Sequence, residues 1–99
     1  MTDPDISTTD RRRERLRFRS WHRGTREMDL LMGSFADLNL PAYSDAQLDE
    51  YEVILGISDP DLYNWMTGKE PVPPEYDNQV MRALCAHQFA PSSSTKGVS

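Results

Sequence analysis

The sequence contains little cysteine and no long apolar run. Cys85 is the one cysteine among 99 residues, so no disulfide can form within the chain, and the reducing cytoplasm is the expected compartment. No stretch approaches the roughly 18 apolar residues of a membrane-spanning helix, so no membrane insertion is expected. The opening MTDPDISTTD is rich in aspartate and has no apolar run behind it, which argues against a secretory signal and against an acid-poor organellar transit peptide. We therefore expect a cytoplasmic protein.

Residue sets for catalysis or metal binding are also scarce. Two histidines and one cysteine are too few for a zinc-type spacing. Cys85 and His87 lie two apart on one predicted helix, so they point in different directions, and Cys85 is interpreted as a small core residue. Neither a G-x-G-x-x-G nor a G-x-x-x-x-G-K-[ST] phosphate loop occurs. The acidic residues between 45 and 61 lack a calcium-loop pattern and are interpreted as a solvated helix face. The sequence predicts a non-enzyme with no metal and no tightly bound cofactor.

Charge is distributed unevenly along the chain. The formal net charge is -5, yet residues 11–26 carry eight arginines against one glutamate. This asymmetry predicts a basic face and an acidic face on one small body, suited to electrostatic docking on a partner. A nucleic-acid-binding helical module is an alternative explanation of the arginines. The acidic pI of about 4.8 and the lack of a recognition motif argue against it, so no nucleic acid partner is expected.

Apolar residues recur at helical spacing, and no strand alternation of useful length occurs. We predict an all-α fold, a compact five-helix bundle over residues 10–90 with short loops and disordered tails at residues 1–9 and 91–99. The first helix should run through the arginine segment to about Trp21. The second should run from about Thr25 to Asp37, with an inward stripe of Met28, Leu31, Met32, Phe35 and Leu38.

Capping patterns delimit the remaining helices. Ser44 and Gln47 form a capping box that should open the third helix, which Gly56 should end. Asp59 as N-cap, with Pro60 first in the helix, should open a short fourth helix that stops at Gly68. Residues 70–74 are too rich in proline to be helical throughout. A fifth helix should extend from Tyr76 to about Phe89.

The stretch from Arg23 to Glu27 is the candidate site. Gly24 lacks a Cβ, so the backbone can bend sharply there and a partner can approach closely. If the stretch is helical, Arg23 and Glu27 lie at i and i+4 and present a cation and a carboxylate on one exposed face. Glu27 and Asp29 sit where the dipole of the second helix favours carboxylates. An equally weighted interpretation is structural, in which Gly24 makes the turn and Glu27 stabilises the helix end.

At these residues the sequence resembles the succinate dehydrogenase assembly factors, a family marked by an Arg-Gly-x-x-Glu motif. The motif occurs as Arg23-Gly24-x-x-Glu27. RGTREMDLLMGSFAD at 23–37 and DPDLYNWMTG at 59–68 extend the similarity, which covers about residues 11–89. His22 stands where another basic residue is common, and the arginine run is denser than usual.

The resemblance implies an assembly chaperone that binds the flavoprotein subunit of succinate dehydrogenase and promotes covalent attachment of FAD to a histidine of that subunit. Fumarate reductase is a further candidate client, FAD is held by the partner, and the free chain is expected to be a monomer. The implied partner-binding residues are Arg23, Gly24, Arg26, Glu27 and Asp29, with Trp65 and Met66 extending the contact. The spacing of Trp65 and Met66 with Leu62 also fits a core role. The alternative function is an antitoxin-like regulatory module acting on a different partner.

Overall fold

Residues 8–87 are described by a computed structural model of the protein, and within that range they form five α-helices and no strand. The helices are α1 (Thr8–Trp21), α2 (Arg26–Asn39), α3 (Asp45–Leu55), α4 (Asp59–Met66) and α5 (Gln79–Ala86), with 3₁₀ turns at Leu40–Ala42 and Pro74–Tyr76. The predicted all-α, five-helix fold is confirmed. Of the two predicted tails, residues 1–7 and 91–99 lie outside the described residues, whereas Thr8 and Thr9 already belong to α1. None of the described helices is long and apolar enough to cross a membrane.

Side-chain caps begin the helices, as the sequence patterns predict. The Thr25 hydroxyl accepts a hydrogen bond from the Met28 amide at 3.2 Å and caps α2. The capping box of α3 is complete, because the Ser44 amide donates to Gln47 Oε1 at 2.8 Å and the Gln47 amide donates to Ser44 Oγ at 3.2 Å. Each cap satisfies amide groups that have no partner within the first turn of a helix.

The predicted boundaries of α4 and α5 need correction. Ser58, not Asp59, caps α4, since its hydroxyl accepts from the Asp61 amide at 3.4 Å. The Asp59 carboxylate is bound by Arg23 instead, so it does not turn back to cap the helix. Helix α5 begins later than predicted, after the Asn78 cap, and ends at Ala86. His87 then adopts an extended backbone, and Phe89 lies outside the described residues.

The core lies between α2, α3 and α5, with α1 and α4 packed against it. Met28, Met32 and Phe35 are buried as predicted and Leu31 is partly buried, but Leu38 is 73% exposed. Ten residues after Met28, Leu38 has turned about 80° away from it around the helix, which places it at the edge of the apolar stripe. The other buried apolar residues are Leu16, Ala36, Leu40, Tyr43, Leu48, Tyr51, Ile54, Leu55, Leu62, Trp65, Val80, Met81 and Leu84.

Two close contacts fix α1 on the bundle. The buried hydroxyls of Ser20 and Tyr51 lie 2.6 Å apart and join α1 to α3, and the Tyr51 hydroxyl also donates to the Met32 carbonyl at 3.4 Å. Burial raises the pKa of Tyr51, so its hydroxyl stays a neutral donor. Gly33 of α2 faces the indole of Trp21 so closely that a Cβ there would collide with the ring. A glycine within the second helix thus makes room for the first.

The charge asymmetry predicts a basic face separate from an acidic one, but several arginines of α1 are paired with acidic residues of the neighbouring helices. Arg12 lies 2.6 Å from Asp49 and 2.8 Å from Glu52 of α3, while Arg17 lies 2.5 Å from Asp37 of α2. Hydrogen bonds to Glu52 and Asp49 raise the pKa of the Arg12 guanidinium. Much of the basic charge is therefore paired with the acidic residues of the neighbouring helices.

Candidate functional site

The motif turn, residues 22–25, connects α1 to α2 and contains a glycine with a positive φ. Gly24 has φ +127°, a region that L-residues rarely adopt. A Cβ built at Gly24 would meet nothing within 4 Å. The backbone conformation, rather than crowding, requires glycine here, and the space beside it is open to a partner.

The Asp29 carboxylate holds the backbone of the motif turn from within. Its Oδ1 accepts from the Arg23 amide at 2.5 Å and from the Gly24 amide at 3.2 Å. The predicted place of Asp29 near the first turn of α2 is confirmed. The side chain folds back onto the protein's own amides, however, so in this structure it supports the turn rather than presenting a free carboxylate.

Arg23 makes a set of hydrogen bonds that we call the Arg23 clamp. Its side chain is 10% exposed and lies 2.6 Å from the Asp59 carboxylate. The guanidinium also donates to the Leu55 carbonyl at 2.6 Å and to the Ile57 carbonyl at 2.7 Å. These acceptors belong to the end of α3 and the start of α4. The clamp therefore ties the motif turn to the junction between α3 and α4.

The i, i+4 spacing predicts an exposed Arg23–Glu27 pair, and this prediction is wrong. Helix α2 begins at Arg26, so Arg23 lies in the turn and its side chain points into the clamp. The exposed residues are Gly24, Thr25, Arg26 and Glu27, which we call the docking face. Within the described range, Arg26 and Glu27 take part in none of the side-chain hydrogen bonds or ion pairs, so their charges remain available.

The second sequence block, residues 59–68, meets the first through Asp59. Trp65 is 9% exposed and its ring lies 5.6 Å from that of Tyr76, while Met66 packs against the core. Both contacts fit the core interpretation of these residues. Sequence reasoning assigned Asp59 to a helix cap and missed its pairing with Arg23, which lies 36 positions earlier in the chain.

Comparison with known proteins identifies the family. Residues 14–88 match a family described as the flavinator of succinate dehydrogenase. The chain belongs to this family. The match includes both sequence blocks and confirms the resemblance drawn from them.

Curated relatives of the chain come from a social amoeba, a bacterium and a fly. The mitochondrial succinate dehydrogenase assembly factor 2 of Dictyostelium discoideum is 39% identical over 84% of this chain. The FAD assembly factor SdhE of Acetobacter pasteurianus is 40% identical over 74% of it. The mitochondrial assembly factor 2-B of Drosophila persimilis is 41% identical over 77%. The aligned regions cover 59%, 67% and 50% of the lengths of these relatives.

The nucleophilic and basic side chains of this flavinator-family chain are built into its packing. Burial raises the pKa of the Cys85 thiol, and the charge of Asp77 adds to the effect, so the thiol is protonated at neutral pH. His87 Nε2 lies 2.8 Å from Ser34 Oγ, and burial lowers the pKa of its imidazole. Residues 8–87 contain no group of three or more His, Cys, Asp or Glu side chains that could hold a metal ion.

A groove of about 900 Å³ lies between the N-terminal half of α1 and the end of α2. Ala36 and Leu40 contribute apolar surface to it. In its wall, Arg13 donates to the Leu40 and Tyr43 carbonyls, and Arg17 pairs with Asp37. The groove is thus separate from the motif turn, which follows the other end of α1.

Proposed function

We propose that this chain is an assembly chaperone that binds the flavoprotein subunit of succinate dehydrogenase and promotes covalent attachment of FAD to a histidine of that subunit. Family membership and the names of the relatives support the proposal. The observation that carries it is the motif turn, in which an open, positive-φ Gly24 is held by Asp29 and the Arg23 clamp. A preformed and exposed face of this kind loses little entropy when a partner docks on it.

In this proposal the chemistry takes place on the partner. The histidine that would form the bond and the FAD to which it would be joined both belong to the flavoprotein. The chaperone contributes by fixing the orientation of the partner's mobile domain, since held geometry removes an entropic barrier from the reaction. Gly24 lets the partner surface come close. Arg26 and Glu27 supply one charge of each sign, which would fix the position of the partner on this face.

The chain is proposed not to be an enzyme and not to hold FAD by itself. Cys85 is half-buried and protonated, and His87 is engaged with Ser34, so neither is a free nucleophile or base. Isothermal titration of the free chain with FAD should give no dissociation constant at or below the low micromolar range. Tighter binding without the partner would contradict this part of the proposal.

Gene deletion tests the function directly. Cells that lack the chain should contain flavoprotein subunit with little covalent flavin, measured as in-gel fluorescence of the denatured subunit, and re-expression of the chain should restore it. The fumarate reductase flavoprotein, proposed as a second client, is measured in the same gel. Covalent flavin at the parental level in the deletion strain would overturn the proposal.

Co-purification with the tagged chain separates the other function classes. Recovery of the flavoprotein subunit fits the chaperone. Recovery of a different protein without it would favour an antitoxin-like regulatory role, and nuclease-sensitive material would favour nucleic acid. The bacterial cytoplasm and a monomeric free state stay predictions, which fractionation and sedimentation analysis would check.

A further inference from the structure

One face of α1 points away from the bundle, and we call it the outer stripe. It consists of Arg11, Arg15 and Phe18 of α1 and of His22, which directly follows the helix, spaced by four, three and four residues. A period of 3.6 places them within an arc of about 60°. The arc lies opposite the buried Leu16 and Ser20 of the same helix. All four stripe residues are exposed, and Arg11 also borders the groove between α1 and the end of α2.

The arginines of the outer stripe differ from those on the flanks of α1. Flanking arginines face acidic residues of neighbouring helices, as Arg12 does with Glu52 and Arg17 does with Asp37. Arg11 and Arg15 form no ion pair with any residue in the described range. The stripe itself contains no acidic residue, since Glu14 lies about 70° from its centre. Two uncompensated cations therefore face outward from this helix.

Phe18 places an aromatic ring beside these cations. It is 63% exposed and stacks on the His22 imidazole, with ring centroids 4.0 Å apart. Single exposed apolar residues are common on protein surfaces. Exposed Leu38 and Val53 are such residues, and leucine and valine seldom dominate binding energies. An aromatic ring that shares a helix face with two unpaired arginines has the composition of an interface instead, because aromatic residues and arginine are enriched there.

The outer stripe runs into the docking face. His22 is its last residue and the first of the motif turn. The Arg23 clamp, with the Arg23 side chain 2.6 Å from Asp59, holds the turn next to it. A partner seated on Gly24 would therefore meet the end of the stripe without rearrangement of the backbone.

We propose that the outer stripe is a second arm of the docking surface and that it receives an acidic patch of the same client flavoprotein, with Phe18 entering an apolar recess between the client's carboxylates. This inference rests on the proposed function and names the surface chemistry of its partner. Two unpaired arginines on a chain of net charge -5 are too few for tight binding to a phosphate backbone. Self-association through a second copy of the chain is the other occupant that the test below distinguishes.

Binding kinetics with the purified flavoprotein subunit test the stripe. The Arg11→Glu, Arg15→Glu variant should lower the association rate constant about tenfold at low ionic strength, and the difference should shrink in 0.5 M salt, as for electrostatic steering. Phe18→Ala should act on dissociation and raise its rate constant about tenfold, as loss of a buried aromatic anchor does.

Matched controls separate this surface from general charge and hydrophobicity. Lys69→Glu, Arg82→Glu makes the same charge change at two exposed cations outside α1 and should change association less than threefold. Leu38→Ala removes an apolar side chain that is 73% exposed and should leave dissociation unchanged. Circular dichroism checks that each variant keeps parental helicity, and Arg11→Gln, Arg15→Gln replaces the glutamate variant if that one loses it.

The outcomes that overturn the inference are distinct. If the parent chain binds the subunit and the stripe variants bind equally well, the stripe is not a docking arm, while the proposed function stands. If the parent chain does not bind the subunit, the proposed function and this inference both fail. Parental subunit binding combined with loss of self-association, or of co-purified nucleic acid, would assign the stripe to one of those occupants instead.

Discussion

Arg23 shows why the type of cation matters at a single position. Its planar guanidinium reaches one carboxylate and two carbonyls at once, at distances of 2.6 to 2.7 Å, whereas a lysine ammonium is a compact charge without such a fork. Because these acceptors lie at the junction of α3 and α4, the main role of Arg23 in this structure is to stabilise the fold. Its effect on docking would pass through the shape of the motif turn.

Replacement of Arg23 should therefore destabilise the protein. Arg23→Ala leaves the Asp59 carboxylate and the Leu55 and Ile57 carbonyls without their donor, and loss of one partner from a largely buried pair costs about 3 kcal/mol. Urea unfolding followed by circular dichroism would measure the loss. Arg26→Ala, at an exposed residue, is the control and should stay within about 0.5 kcal/mol of the parent. A parental midpoint for Arg23→Ala would show that the clamp contributes nothing to stability.

Gly24 allows a test that separates docking from folding, because Gly68 offers a matched site. Both glycines have positive φ, +127° and +81°, and a Cβ at either would meet nothing within 4 Å. Gly24→Arg and Gly68→Arg should each cost about 1–2 kcal/mol from backbone strain. Only Gly24→Arg should abolish binding of the flavoprotein subunit, because its side chain occupies the docking face.

Glu27→Ala completes this test at the neighbouring position. It should change the unfolding free energy by less than about 1 kcal/mol, as expected for an exposed carboxylate in a first helical turn, and still reduce client binding and covalent flavin yield. If Gly24→Arg and Glu27→Ala both remain folded and support parental flavin yield, the motif is structural and the site assignment fails.

The sequence allows the exposed turn at Gly24 to be predicted but not the clamp. A glycine between a basic helix and an N-cap threonine indicates a turn from local rules alone, and Gly24 and Glu27 are exposed as expected. The acceptors of Arg23 include two backbone carbonyls, and carbonyls carry no residue-type signature. Their position depends on how the end of α3 packs against the turn, which no local pattern specifies.

At the scale of elements, Gly33 shows packing overriding helix propensity. Alanine is favoured over glycine within a helix by about 1 kcal/mol, so propensity alone predicts that Gly33→Ala stabilises α2. The Trp21 indole occupies the space of the new methyl group, and overpacking of this kind costs about 1–3 kcal/mol. We expect net destabilisation in thermal unfolding.

Gly56→Ala is the matched control for Gly33→Ala. Gly56 has a right-handed backbone, and its Cβ would lie at an ordinary 3.4 Å from the Val53 carbonyl oxygen. The melting temperature of the Gly56→Ala variant should stay near the parental value. A higher melting temperature for Gly33→Ala than for the parent would mean that the indole moves aside without cost.

His87, which directly follows α5, should make stability depend on pH. Its ring lies against Phe35, with centroids 5.5 Å apart, and burial lowers the pKa of the imidazole below its ordinary value. As the pH falls below about 6.5, the unfolded chain takes up a proton before the folded chain does. Stability contributed by neutral His87 is therefore present above that pH and lost below it.

Thermal unfolding at pH 7.5 and pH 5.5 would measure this dependence. The parent should lose more stability between the two values than His87→Gln, which has no imidazole at this position. The comparison isolates His87 because both chains share every other titrating group. Equal losses in the two chains would show that protonation of His87 is not coupled to folding.

A helix start with a complete local cap is easier to predict than the exposure of a residue at the edge of a helix face. The Ser44–Gln47 capping box and the Thr25 region were correct because caps are local hydrogen bonds between residues three apart. Leu38 was wrongly placed inward because an apolar residue at the edge of a stripe has no local signal for exposure. The cap of α4 was misplaced by one residue because the Asp59 carboxylate has a distant partner in Arg23.

For the whole molecule, the attachment of α1 depends more on charge than that of any other described helix. Among the residues of α1, Leu16 and Ser20 are buried, and the helix contributes one side chain to the apolar core. Ion pairs to Asp49, Glu52 and Asp37 hold its two flanks. The net charge and the arginine count predicted electrostatic docking on a partner. The structure shows that many of the same residues first attach α1 to its own bundle, a pairing that composition cannot distinguish from an exposed basic face.

Because ion pairs hold the flanks of α1, salt should loosen α1 selectively. The acidic partners on the flanks remain 40% to 70% exposed, so added ions screen these pairs effectively, whereas burial of apolar surface in α2, α3 and α5 is not weakened by screening.

Hydrogen exchange followed by mass spectrometry at 0.05 M and 0.5 M sodium chloride would resolve the helices. Amides of α1 should exchange faster at high salt, while those of α2, which serve as the internal control, should change little. Unchanged protection of α1 between the two salt concentrations would mean that Leu16, the Ser20–Tyr51 hydroxyl pair and the contact of Trp21 with Gly33 are sufficient to hold the helix. If α1 does loosen, the outer stripe should lose its alignment with the motif turn under the same conditions. Salt would then weaken client binding in two ways: it would screen Arg11 and Arg15, and it would free the helix that carries them.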